Sequence, residues 1–178
     1  MTTLAANAVR AYENGDINTL PVIASDIIYE GAAVGDNASG YARPLVAGDP
    51  FRGFALRKAD NSAGAAGAVN VDVRTHGFVQ LAVGSLAITD VGKDVFASDD
   101  ATFTLTQGSN TRIGHVHRFV SSGVGIVCFC QNHGTLTELT DSTTGTATDT
   151  CDDTTAGTKD DLASIIAKVN AIIRRLGG

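Results

Sequence analysis

The chain has 178 residues, 20 glycines, no tryptophan and only 18% charged residues, enough for one compact domain with appendages and too little for two ordinary domains. Small side chains and frequent turn residues favour an all-β fold over a helical enzyme. The formal net charge of -6 is concentrated in residues 136–161, where seven acids accompany Lys159 alone, and no basic stripe interleaved with aromatics exists to serve a nucleic acid.

Taken in chain order, residues 1–24 mix apolar side chains with Asn14, Gly15, Asp16, Asn18 and Pro21 without a clear period, and are expected to form an extended N-terminal arm. The first residues lack the apolar run of a signal peptide, and no later stretch approaches the ~18 apolar residues of a membrane helix. From Ser25 to residue 135 the pattern changes to short runs bounded by turn residues. The clearest is AVNVDVR, where Val69, Val71 and Val73 alternate with Asn70, Asp72 and Arg74, the period of a half-buried strand. Further strands are expected over residues 27–34, 41–46, 53–58, 76–83, 94–97, 101–106, 112–120 and 124–130. VFASDDATFTLT reads as a hairpin bending at Ser98, Asp99 and Asp100. Gly77, Gly84, Gly114 and Gly125 interrupt their runs where bulges or tight corners are expected. The glycine loops GDNASG and SAGAAG lack the strand-to-helix setting of a phosphate cradle and read as hairpin connections or contact loops. Together these elements describe a small antiparallel β-barrel or sandwich.

Residues 136–158 are dominated by Thr, Asp and Gly and bury too little apolar area to offset their ordering entropy, so they read as a spacer. Residues 159–178 carry every mark of a single C-terminal α-helix. Thr158 stands at the cap, Asp160 and Asp161 in the first turn, Arg174 and Arg175 in the last, and Gly177 just beyond. Leu162, Ile165, Ile166, Val169, Ile172, Ile173 and Leu176 recur at spacings of three and four, making one continuous apolar stripe. Such a helix is marginal alone in water. Its stripe has two outlets, packing back on the β-domain or self-association; the long spacer and the width of the stripe favour association of three or more copies.

The chemistry-bearing residues are few. His115 and His117 share one strand face, Cys128 and Cys130 share another, and His133 follows, a set whose atom types suit zinc. Their spacing does not, because both pairs lie one residue apart inside strands rather than on a turn; they read as interior cysteines beside a partly exposed histidine ladder. Cys151 makes the cysteine count odd, which argues for folding in a reducing compartment. No G-x-S-x-G elbow is present, and no catalytic residue, metal or cofactor is assigned.

The run IIYEGAAVGDNASGYARPLVAGDPFRGFALRKADNSAGAAGAVNVDVRTHGFVQLAV, followed by ITDVGKDVFASDDATFTLT and RIGHVHRFVSSGVGIV, resembles the decoration or cement proteins of tailed-bacteriophage capsids. The likeness covers roughly residues 1–130, is most specific in ARPLVAGDPFRGFA and TDVGKDVFASDDATFTL, and is silent on the spacer and helix. It implies a non-enzymatic structural protein of the virion, assembled in the bacterial cytoplasm. On the outer capsid surface such a protein sits as a homotrimer and bridges major capsid protein subunits, with neither nucleic acid nor membrane as partner. The competing reading is a fibre-like adhesin on the virion surface, binding host cells or a further protein through the tethered helix.

Overall fold

The computed structural model describes residues 15–131 and, in a short helix near the C-terminus, residues 165–167, 169, 170 and 172. Two compact units are distinguished, Met1–Gln131 and Asn132–Gly178. The described residues of the first are built from β-strands and turns, with one 3-10 turn at Ile88–Asp90, the class its composition favours.

Its N-terminal half is a five-stranded sheet built from β1 (Ile17–Pro21), β3 (Ala33–Asp36), β4 (Ala42–Pro44), β5 (Phe51–Ala55) and β7 (Asn70–Arg74), in the order β1-β7-β5-β3-β4. Short strands β2 (Ile27–Ile28) and β6 (Ala59–Asp60) pair beside it. The two edges of the sheet converge: Val22, directly after β1, bridges Ala42 in parallel, and the Ile23 N–H donates to the Ala42 carbonyl. In β7 the expected alternation holds, with Val71 and Val73 buried while Asn70 and Arg74 are exposed. The core of this half is made of small branched side chains, including Val22, Ile28, Val34, Val71 and Val73, with Ala42, Ala55 and Ala59 filling the remaining space.

The C-terminal half is a closed five-stranded barrel of β8 (His76–Gly84), β9 (Asp94–Ala97), β10 (Phe103–Thr104), β11 (Thr111–Ser121) and β12 (Val124–Cys130), in the order β10-β8-β12-β11-β9. All pairs are antiparallel except β10 with β8. A barrel of this size is filled by its own side chains: Leu81, Val83, Leu86, Ile113, Val116 and Phe129 occupy the interior.

β5 joins the halves because its two aromatics point away from the core nearest to it. Phe51 and Phe54 enter the barrel core, whereas Ala55 stays with the valine cluster. Phe54 sits at the centre of edge-on ring contacts, with centroids 4.9 Å from Phe129, 5.3 Å from Phe51 and 6.0 Å from Phe103. Offset and T-shaped ring pairs add to the burial itself. Polar stitches complete the joint. The buried Thr111 hydroxyl donates to the Asp49 carbonyl and accepts from the Gly48 N–H, both at 2.9 Å, and the Ala33 N–H donates to the Asp100 carbonyl.

Several expectations are refined here. The run 27–34 is not one strand: a turn at Tyr29–Ala32, with Gly31 at φ +80°, separates β2 from β3. The segment read as an arm becomes an edge strand from Ile17 onward, while residues 1–14 lie outside the described residues. The 101–106 strand contracts to the two residues of β10, which pair with Phe96 and Ala97 as the predicted hairpin requires. Asp99 fixes the bend, its carboxylate accepting from the Ala101 and Thr102 N–H groups. GDNASG is the β3–β4 hairpin connection, held by Asn37, whose side-chain oxygen accepts from the Ser39 and Tyr41 N–H groups. Among the expected glycine corners, Gly114 is the most constrained, since a Cβ there would collide with the Cys128 carbonyl across the ladder. Residues 136–158 and most of 159–178 lie outside the described residues.

Candidate interaction surfaces

The first candidate surface is the C-terminal helix. Of the predicted self-association residues, Ile165 and Ile172 are 49% and 55% exposed, and Ile166 and Val169 are half-buried. Leu162, Ile173 and Leu176 lie outside the described residues. Ile165 and Ile172, seven positions apart, share one side of the helix. A β-branched apolar pair open to water at that spacing is chemically suited to a neighbouring helix.

The second surface is the outer face of β8, β12 and β11. Strand alternation turns Leu81 and Val83 inward, so Phe78, Gln80 and Ala82 point out. In β12, Val127 and Phe129 are buried, leaving Ile126, Cys128 and Cys130 on the outside. In β11 the register slips between Val116 and Arg118 and again between Phe119 and Ser121. Val116 and Phe119 both pack on the core, so each slip presents two successive side chains outward, His117 with Arg118 and then Val120 with Ser121. Bulges re-aim side chains in this manner. Cross-strand registry then places Phe78, Cys128 and His115 in one row, and Gln80, Ile126 and Arg118 in the next. The rings of Phe78 and His117 meet diagonally with centroids 4.6 Å apart.

The histidines and cysteines singled out in the sequence are therefore brought together, with His115 opposite Cys128, but on the outside of the barrel. The expectation of interior cysteines is corrected: Cys128 is half-buried and Cys130 exposed, because the inward phase of β12 belongs to Val127 and Phe129. Cys151 and His133 lie outside the described residues. Among the described residues no group of three or more His, Cys, Asp or Glu side chains is placed to hold a metal ion, and no helix is long and apolar enough to cross a membrane.

Charge is distributed unevenly over this unit. Seven of the eight Lys and Arg side chains between residues 15 and 131 are paired with carboxylates: Arg43 with Asp49, Arg52 with Asp36, Arg57 with Asp72, Lys58 with Asp60, Arg74 with Asp16, Lys93 with Asp90 and Arg112 with Asp94. The Ser62 hydroxyl and the Lys58 ammonium pull the Asp60 carboxyl down to about 2. The Thr19 hydroxyl and the Arg57 guanidinium likewise hold Asp72 below its ordinary value. Arg118 is the exception, exposed on the outer face, and the strands β8, β11 and β12 contain no Asp or Glu at all.

Sequence reasoning missed Phe78, Arg118 and Val120 as surface features. The signal for Phe78 was present, since it shares a phase with His76 and Gln80 in HGFVQLAV. Arg118 and Val120 were hidden because two bulges break the period of β11. In comparisons with known proteins, no family model, no curated protein and no solved structure matches the chain.

Proposed function

We propose that the chain is a structural protein of a tailed-phage virion, binding the outside of the capsid as a homotrimer and stabilising the shell by bridging major capsid protein subunits. The observation that carries this reading is the exposed Ile165 and Ile172 pair on the C-terminal helix, which gives copies of the chain a means of associating. The likeness of the runs ARPLVAGDPFRGFA and TDVGKDVFASDDATFTL to capsid decoration proteins supports the rest. Mechanistically, three linked copies engage several subunits at once, so that modest single interfaces gain avidity. Strands stapled by ion pairs and packed rings suit a part that bears load rather than one that must open to a substrate.

The test is to mix the purified full chain with undecorated, expanded capsid shells of the phage that encodes it and to image the particles. Density at three-fold positions is expected, together with a solution mass three times the 18.3 kDa of one chain. Replacing both Ile165 and Ile172 by Asp is expected to reduce that mass to one chain, read by light scattering. Bare shells after mixing would overturn capsid binding, and an unchanged mass in the double variant would overturn the role of the helix.

A further inference from the structure

We propose that the outer face of β8, β12 and β11 is the docking surface for a different protein, one that offers an apolar depression for Phe78 and carboxylates for Arg118. Resting on the capsid reading above, the inference makes this face of the β-domain the part that touches the shell, distinct from the helix that links the copies.

Three observations carry it. First, Phe78 is 64% exposed although β8 has an inward phase available to it, and Val120 in the same sheet face is 42% exposed. Isolated exposed apolar residues need no explanation, but here Ile126 stands on the strand between, one row along from Phe78 in the cross-strand register, so the three apolar side chains lie on one face. An aromatic and an arginine around an apolar centre is the composition of binding hot spots.

Second, Arg118 is the one Lys or Arg in residues 15–131 without a carboxylate partner, in a unit that pairs the other seven. With no acid anywhere on the three strands and with His115 and His117 beside it, the face calls for negative charge from outside. A symmetric pairing of the face with itself would bring no carboxylate to Arg118, because the three strands have none to offer, so a different protein is the better match.

Third, the two bulges in β11 turn His117, Arg118 and Val120 outward while keeping Val116 and Phe119 in the core. A regular strand would send two of those outward side chains into the barrel or onto the other phase. Bulges placed in this way shape a surface rather than the interior.

The experiment uses the full chain, the Phe78→Ser and Arg118→Glu variants, and undecorated expanded shells as the probe. Each variant is expected to bind shells about tenfold more weakly or worse, with its thermal midpoint and particle mass unchanged because both side chains are exposed. A second readout needs no change at the face: with Cys130 and Cys151 replaced by Ser, alkylation of Cys128 is expected to slow on shell-bound protein. If the wild type binds shells while both variants bind equally well and Cys128 stays as reactive, the inference is overturned and the capsid reading stands. If the wild type does not bind, both fall together. A variant that lowers the particle mass assigns the face to sister copies and also overturns the inference.

Discussion

On either side of Thr75 the β-domain is held together by different means. Before it, the buried side chains around Val71 and Val73 are Val, Ile and Ala, and five of the seven ion pairs join residues of this half. After it, Leu, Phe and Ile join Val in filling a closed barrel that carries two ion pairs. A valine and alanine core removes less apolar surface from water per residue, and the N-terminal half makes up the difference with polar links. Asn61, 1% exposed, gathers the SAGAAG loop by donating its amide to the carbonyls of Ile23 and Ala65 at 2.8 and 2.9 Å. The lesson is one of dependence: the half with the thin core lends its two phenylalanines, Phe51 and Phe54, to its neighbour and is anchored through them.

The sharpest way to break that comparison is Phe54→Ala. Because Phe54 touches three other rings at the joint, the substitution is expected to cost about 3–5 kcal/mol, with both halves unfolding together in a urea titration followed by circular dichroism. Separate transitions for the two halves would show that the anchor is not shared. Next in size is Arg43→Lys. The guanidinium reaches both Asp49 oxygens, at 2.9 and 2.7 Å, and Asp49 also accepts from the Val46 N–H. An ammonium keeps the charge and loses the fork, at a cost of about 1 kcal/mol on the same titration. An equal loss from Lys93→Ala, which removes the exposed ammonium paired with Asp90 on the barrel side, would erase the distinction between halves.

The smallest effect is in acid. Asp60 and Asp72 in the N-terminal half, with Asp90 and Asp99 on the barrel side, titrate below 3.8 when folded, Asp60 at about 2. Groups lowered in this way stabilise the fold above the unfolded value and lose that contribution as pH falls through the folded one. Asp100, on the barrel side, is raised by burial, so its effect has the opposite sign, favouring the fold below 3.8 and fading as pH rises. The thermal midpoint of the wild type is expected to drop between pH 4 and pH 2. Asp72→Asn should start lower at pH 6 and fall less, whereas Asp100→Asn should gain slightly at pH 7 and nothing at pH 3.

Legibility in the sequence followed regularity. β7, β8 and β12 were readable because each keeps period two from end to end, and the bend at Asp99 was readable from its turn chemistry. β1 was not, since an edge strand with three exposed positions and a terminal proline shows no apolar phase. β6 is two residues long and exists only because Ile27 and Ile28 lie opposite. On the functional side, the apolar spacing of the helix was plain, but the outer barrel face was not. His115 and Cys128 were correctly grouped on strands, yet nothing local states which phase faces the core until Val127 and Phe129 are seen to fill it.

The convergence of strand ends has a further consequence. The barrel is closed, and the edges of the other sheet meet at Val22 and Ala42, with Pro21 unable to donate from the adjoining rim. Bare backbone rims are what let β-proteins zip into fibrils when crowded. Bridging those edges leaves less unpaired strand rim, among the described residues, on which a crowded neighbour could add a strand.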